Sequence, residues 1–199
     1  MAARFLQTML TPSVLDAQRH YYGRSAGAFD APERDQLTDE ERAFIAARDS
    51  FYLATVTETG WPYVQHRGGP RGFLRVLDDH TLGFADYGGN RQMLSTGNLA
   101  ADDHVTLFLM DYPNRERLKI LGHARVLDAR EHPKEAERVQ PAGTGAARAE
   151  RVFLIDVVAF DWNCPKFITP RYTADEVEHA VAPLKERIAE LEAKLKAQP

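Results

Sequence analysis

The stretch Phe51-Tyr52-Leu53-Ala54-Thr55-Val56-Thr57 is rich in the aromatic and β-branched residues that pack well on the surface of a β-sheet. It is followed by Glu58-Thr59-Gly60, a three-residue loop with a glycine for positive φ, and by a predicted returning strand at residues 61–67. This order predicts a β-hairpin. Residues 73–77 and 81–86 predict a second hairpin of the same kind.

Three more strands are predicted at residues 104–110, 118–127 and 152–160, and short helices at residues 90–99 and 131–139. Seven short strands with few helices between them favour an antiparallel barrel or sandwich over a parallel βαβ sheet. The predicted fold class is therefore mainly β, with flanking helices.

The two ends of the chain carry helical patterns. Residues 1–50 are mixed and helical, with a capping box that begins at Thr38. A second capping box begins at Thr173, and apolar residues then follow at spacings of three and four, as in a heptad seam: Val177, Val181, Leu184, Ile188, Leu191 and Leu195. The seam predicts a helix that packs either on its own barrel or against a second subunit. We therefore expect an N-terminal helical segment over 1–50, a barrel over 51–172 and a C-terminal helix over 173–199.

Composition narrows the class of protein. The 199 residues are 44% hydrophobic and 27% charged, as in ordinary globular domains. The formal net charge of -4 argues against general nucleic-acid binding. No stretch approaches the roughly 18 apolar residues that span a membrane, and no secretory signal is seen, so a cytoplasmic location is expected. With one cysteine, Cys164, and seven scattered histidines, we expect no metal site.

Two clusters have the chemistry of an anion site. In His66-Arg67-Gly68-Gly69-Pro70, the guanidinium can bind an anion bidentately and the glycines allow close approach of the backbone. In residues 84–92, a strand enters a glycine turn that opens a predicted helix, whose first N–H groups would attract phosphate. Arg91, in the predicted first turn, would oppose the helix dipole unless an anion lies there. Each cluster alone is also compatible with an ordinary turn and a surface arginine.

A third cluster follows the last predicted strand, at residues 161–172. Trp162 could stack on a planar ligand and Arg171 could meet its charge, although an apolar plug with solvent-facing cations is the plainer alternative. Together, the three clusters describe a site for a ligand that is flat, polar at one edge and phosphorylated at one end. Flavin mononucleotide (FMN) has those properties.

Residues 51 to about 172 resemble the FMN-binding split barrel of the pyridoxamine 5'-phosphate oxidase-like family. The order and spacing of several segments carry this resemblance: residues 51–56, Gly60-Trp61-Pro62, residues 66–69, residues 82–92 and the segment around Trp162. The resemblance implies a homodimer with two FMN sites at the subunit interface.

The resemblance also implies roles for individual residues. Arg67 would lie along the flavin, Gly68 and Gly69 would bring amides to the isoalloxazine edge, and Asn90-Arg91-Gln92 would bind the phosphate together with Arg67. Trp162 and Arg171 would reach over from the other subunit. The full set of implied cofactor-binding residues is Arg67, Gly68, Gly69, Ala85, Asp86, Asn90, Arg91, Gln92, Arg117, Trp162 and Arg171.

The departures from the family pattern bear on the substrate. The oxidases carry an Arg-x-His pair after the tryptophan, where this chain has Phe167-Ile168-Thr169-Pro170. Their substrate-binding strand lysine is also missing, because the region here is Pro70-Arg71-Gly72, and Gln92 replaces a phosphate-binding lysine. The resemblance therefore implies a flavoprotein with a substrate other than pyridoxamine phosphate.

We expect an FMN-dependent oxidoreductase that acts on a small molecule, with reduced nicotinamide as a candidate electron donor. No dedicated catalytic residue is expected, and His66 and Tyr112 are candidates for proton donors. Three alternatives remain open at this point: a non-catalytic flavin-binding protein, an electron-transfer protein, and a relative that binds deazaflavin or haem instead.

Overall fold

The computed structural model describes residues 3–28, 30–89, 91–141, 148–162 and 165–197. The helices are α1 (Ala3–Met9), α2 (Pro12–Tyr22), α3 (Asp39–Ala46), α4 (Leu94–Ala101), α5 (Pro133–Val139) and α6 (Ala174–Lys196). The strands are β1 (Ser50–Val56), β2 (Pro62–Gly68), β3 (Arg75–Val76), β4 (Thr81–Asp86), β5 (His104–Asp111), β6 (Glu116–Asp128) and β7 (Arg151–Trp162). Among these helices, none is both long and apolar enough to cross a membrane.

The seven strands form one sheet in the order β2-β1-β5-β6-β7-β4-β3, which confirms the predicted mainly-β class. The β1–β2 hairpin pairs in the predicted register, with Phe51 opposite Arg67. The second hairpin is shorter than predicted, because β3 contains only Arg75 and Val76. Phe73 leaves the ladder because its ring turns inward and stacks on Phe51, with centroids 5.5 Å apart.

An aromatic stack shows that the sheet curls on itself. The rings of Phe84 and Phe153 are stacked at 4.7 Å, and Phe51 meets Phe84 edge-on at 5.4 Å. Three strands separate β1 from β4 in the sheet order, so a flat sheet would hold these strands about 19 Å apart. The three phenylalanines are at most 1% exposed. The interior that they fill is therefore the core of a barrel.

The chain divides into two compact units. The first consists of residues 1–110 and 117–164 and contains the aromatic stack. The second consists of residues 111–116 and 165–199 and contains α6. No residue of α6 is buried, and its seam side chains Leu184 and Ile188 are 63% and 56% exposed.

Two helical predictions need correction. The helix predicted at residues 90–99 begins only at Leu94, since Met93 precedes it in the left-handed region with φ 57°. Arg91 therefore does not lie in the first turn of a helix. The helix predicted at residues 131–139 begins at Pro133, a residue that suits the first helical position.

Other helical predictions are confirmed. Both predicted capping boxes are present, at Thr38 with Glu41 and at Thr173 with Glu176. The predicted last helix is present as well and runs from Ala174 to Lys196 with Pro183 inside it, so the proline does not restart the helix.

The Glu41 carboxylate ties α3 to the end of β7. It accepts a hydrogen bond from the indole N–H of Trp162 at 2.7 Å and one from the backbone N–H of Thr38 at 2.9 Å. The Trp162 ring also packs edge-on against Phe44, with centroids 4.8 Å apart. Burial raises the pKa of Glu41, but the hydrogen bonds outweigh it and hold the pKa below its ordinary value of 4.5. The group is therefore ionised at neutral pH although it is almost fully buried.

Replacement of Trp162 by Phe should destabilise the protein by about 1.5–3 kcal/mol at pH 7, because it removes a donor to a charged acceptor. A carboxylate with a lowered folded pKa contributes stability above its unfolded pKa, and that contribution disappears as the pH falls through the folded pKa. The difference between Trp162→Phe and the wild type should therefore shrink below pH 4.5. Urea unfolding of both proteins at pH 7 and at acid pH measures this difference in the free energy of unfolding.

The control for this prediction is Trp61→Phe, because the Trp61 side chain is 72% exposed. Equal stability of the two variants at pH 7 would contradict the prediction.

Candidate functional site

A buried ion-pair group closes the barrel, and we call Arg67, Asp86 and Arg151 the seam cluster. Asp86, the last residue of β4, accepts from Arg67 Nη1 at 2.9 Å and from Arg151 Nε at 2.8 Å. The three side chains are only 11–13% exposed. Arg67 belongs to β2 at one edge of the sheet, and β4 lies beside the other edge. The pair therefore joins strands that the ladder leaves apart.

Aromatic rings form the floor of the seam cluster. The guanidinium carbon of Arg67 lies 5.0 Å from the centroid of Phe153 and 5.6 Å from that of Phe84. Both rings belong to the aromatic stack of the core. An arginine over aromatic faces gains a favourable cation–π interaction, which is stronger where water is excluded.

The seam cluster carries an excess of positive charge. Two guanidiniums share the single buried carboxylate of Asp86, while Glu150, which also contacts Arg151 at 3.0 Å, is 56% exposed and screened by water. Burial lowers the pKa of Arg67, and the neighbouring Asp86 partly opposes this effect. Arg67 Nε is buried and has no hydrogen-bond partner among the described residues. The cluster can therefore accept an anionic or hydrogen-bond-accepting group.

Substitution of Asp86 by Asn should destabilise the protein by about 3–5 kcal/mol, because two buried guanidiniums would lose their countercharge. Urea unfolding at neutral pH measures this loss. The control is Asp156→Asn, which breaks an ion pair to Arg125 in which both side chains are more than 40% exposed. Its effect should be about 0–1 kcal/mol. Similar losses in the two variants would show that the seam cluster does not hold the barrel closed.

Gly68 and Gly69 follow Arg67 at the end of β2. The N–H of Gly69 donates to the carbonyl of Asp49 at 2.9 Å, so this amide already has a partner within the chain. A Cβ on Gly69 would lie 2.7 Å from Cγ of Phe73, which explains the glycine by close packing. Gly68 pairs with Ser50 in the sheet.

Four side chains form a row across the outer face of the sheet. His66, Tyr52 and Phe108 are register neighbours on β2, β1 and β5, and the guanidinium carbon of Arg117 on β6 lies 5.7 Å from the Phe108 ring. The rings of Tyr52 and His66 meet edge-on at 5.7 Å. Arg117 Nε is buried and has no partner among the residues that the structure describes. Arg117 and His66, both singled out from sequence, therefore share one face.

Other predicted site residues have partners of their own within the chain. Trp162 lies eleven residues beyond Arg151, about 36 Å of extended strand, and its indole is bound to Glu41. Arg171 belongs to the second unit, where its guanidinium carbon lies 4.9 Å from the Tyr112 ring. Ala85 is 7% exposed and packs in a small core with Val152.

The predicted phosphate segment is only partly described. Asn90 lies outside the described residues. Arg91 and Gln92 are exposed, and Arg91 forms no ion pair with any residue of known placement. Arg91 is therefore the cation of this segment that remains available to a ligand.

Sequence reasoning missed Arg151, the second cation of the seam cluster. It stands at the start of a strand, has no motif around it, and is brought to Asp86 only by the pairing of β4 with β7. The one available signal was a charged residue directly before the strand predicted at residues 152–160.

A sequence profile described as pyridoxamine 5'-phosphate oxidase matches residues 37–159, well over half of the chain. The chain therefore belongs to the pyridoxamine 5'-phosphate oxidase family. Its seven-stranded sheet is the split barrel of that flavin-binding fold. A search of the curated proteins found no match.

Solved structures were compared with the chain as well. HupZ from Group A Streptococcus superposes with a TM-score of 0.50 at 15% identity, covering 69% of this chain and 99% of HupZ. A HupZ variant with one histidine replaced by alanine gives 0.50 at 16% identity, covering 63% and 98%. An FMN-binding protein from Syntrophomonas wolfei gives 0.47 at 14% identity, covering 62% and 83%. At these identities the likeness to HupZ concerns the fold alone.

Proposed function

We propose that this protein is a flavoprotein that binds FMN at the seam cluster. The observation that carries the proposal is the buried Arg67, whose Nε has no partner among the described residues and whose guanidinium shares Asp86 with Arg151. A buried donor without a partner costs about 1–3 kcal/mol, and a ligand acceptor there would recover that cost. FMN offers a dianionic phosphate and several acceptor atoms, so the residues fit the cofactor.

Further residues would complete the site. Arg91 follows the turn at residues 88–89 and forms no ion pair with the described residues, so it is free to bind the phosphate. Gln92 can add a neutral hydrogen bond in place of a cation. Arg117 also has a buried Nε without a partner among the described residues, but it lies on the outer face of the sheet, opposite the face that carries Arg67. Positive charge from Arg67 near a flavin would favour its reduced, anionic form.

The proposed activity is that of an oxidoreductase with a small-molecule substrate other than pyridoxamine phosphate. When bound, FMN supplies the hydride and electron chemistry, so the protein needs to position its partners and exclude water. Reduced nicotinamide is the proposed electron donor. At the position of the missing substrate-binding pair, Phe167 is 93% exposed with φ 67° and brings no charged or imidazole group to the segment.

We also propose that the functional form is a homodimer. The outer face of β1 and β2 leaves Tyr52 40% exposed and Val64 59% exposed, next to Trp61 at 72%. The apolar seam of α6 is exposed as well. Apolar side chains gathered on a sheet face and along a helix are typical of a surface that a second subunit covers.

Alanine at Arg91 should weaken FMN binding by about 10- to 150-fold, the equivalent of one charge-assisted hydrogen bond. Quenching of flavin fluorescence on titration with the ligand-free protein measures the Kd. The control is Arg125→Ala, since Arg125 lies in an exposed ion pair on the surface of β6. Unchanged affinity in Arg91→Ala would refute the phosphate assignment.

The protein as purified, before any ligand is removed, tests the cofactor itself. The visible spectrum and chromatography of the small molecules released on denaturation should identify FMN. If the protein is purified without a ligand and then fails to take up added FMN, the proposal is refuted. A deazaflavin or haem spectrum would replace it with one of the alternatives.

Glutamate at both Leu184 and Ile188 should dissociate the dimer, because it places charges on an exposed apolar seam. Light scattering after size exclusion should give twice 22.4 kDa for the wild type and 22.4 kDa for the variant. The control Glu186→Lys changes the charge of α6 but leaves its apolar residues unchanged, so this variant should remain dimeric. A variant that keeps the doubled mass would show that the subunits associate without this helix.

A further inference from the structure

A pair of histidines meets on adjacent strands away from the seam cluster. His104 opens β5 and His123 lies within β6, and these strands are neighbours in the sheet. Their ring centroids are 4.6 Å apart, with an interplanar angle of 57°. Nineteen residues separate them in sequence, so the approach is a product of strand pairing. They were among the scattered histidines that predicted no metal site.

Each imidazole is oriented by a carboxylate. Asp102 Oδ1 accepts from His104 Nδ1 at 2.7 Å, and Asp103 Oδ1 accepts from His123 Nδ1 at 2.9 Å. A carboxylate can only accept, so the ring proton lies on Nδ1 and the lone pair of each neutral ring lies on Nε2. A metal ion can replace these ring protons, and Nδ1 then becomes the ligand atom. Asp103 Oδ1 lies 2.9 Å from His123 Nδ1 and 3.6 Å from His104 Nδ1, so one ion can contact all three atoms.

The backbone fixes the same residues. Asp102 Oδ1 also accepts from the backbone N–H of His104 at 3.0 Å, which holds the turn before β5. The carbonyl of Asp103 accepts from the N–H of Ala124 at 2.7 Å, which ties that turn to β6 beside His123. The donor atoms are therefore carried on hydrogen-bonded backbone at both strands.

We propose that Asp103, His104 and His123 form a binding site for a divalent transition metal such as Zn²⁺. One donor atom of each residue lies within 4.8 Å of the other two. Donors on a tetrahedral zinc ion are about 3.3 Å apart, so closing the site needs a shift of roughly 1.5 Å. The His104 side chain is 72% exposed and can make that shift by rotation. Two imidazoles and a carboxylate suit zinc, nickel and copper, and the two carboxylates balance the charge of the ion.

The site has access to solvent and to a neighbouring cavity. A cavity of about 540 Å³ is lined by both histidines together with Thr8 of α1, Thr106 of β5 and Gly122 of β6. Waters or a small ligand can therefore complete the coordination sphere. Three protein donors with an open position are typical of a metal that binds an exchangeable group.

The test uses the full chain, free of any histidine tag and treated with a chelator. Titration with Co²⁺ should produce d–d absorption bands, and calorimetry with Zn²⁺ should give one ion per chain. Alanine at His123, and separately at His104, should lower the Zn²⁺ affinity about tenfold or more. The control His179→Ala should bind as the wild type does, because His179 is exposed on α6 and its Nδ1 lies 2.7 Å from the carbonyl of Asp175 in the same helix.

Circular dichroism of the metal-free variants checks their folding, and two variants at different strands keep the test decisive if one is unstable. Absence of Zn²⁺ binding at 100-fold excess would overturn the proposal, as would stoichiometric binding that both substitutions leave unchanged. FMN affinity should be the same in His123→Ala and the wild type, so the result is independent of the proposed flavin site.

Discussion

The ion pair between Arg67 and Asp86 joins two strands that the hydrogen-bond ladder does not connect. It lies over the aromatic stack of Phe84 and Phe153, which fills the interior that the curled sheet encloses. A buried ion pair stabilises a fold only when both charges are well bonded, and here Arg151 supplies the second bond to the carboxylate. The same three side chains of the seam cluster therefore close the barrel and supply its excess positive charge.

This arrangement connects stability with binding. One carboxylate cannot neutralise two guanidiniums, so the seam cluster keeps a net positive charge. Arg67 Nε also has no hydrogen-bond partner among the described residues. In a low-dielectric setting that charge attracts anions more strongly than a surface arginine does. A ligand that supplied the missing acceptor would thus strengthen the structure that holds it. The proposed FMN site follows from this shortage of acceptors.

Local chemistry explains which parts of the fold were predictable. Capping boxes at Thr38 and Thr173 depend on residues three apart, and both are present. The strand from Ser50 to Val56 was predicted within one residue because it is rich in the aromatic and β-branched residues that strands favour. By contrast, β3 shrank to two residues because Phe73 turned inward onto Phe51, a contact across 22 positions. The start of α4 moved to Leu94 because Met93 adopts the left-handed region.

The sequence by itself determined the strand pattern, the helix starts with capping boxes and the family, since each depends on neighbouring residues or on motif order. Only the tertiary structure decided that Asp86 meets both Arg67 and Arg151, that the Gly69 amide is already paired, and that His104 faces His123. These contacts join residues 19 to 65 positions apart. Their partners are chosen by sheet order and barrel closure, which no local pattern encodes.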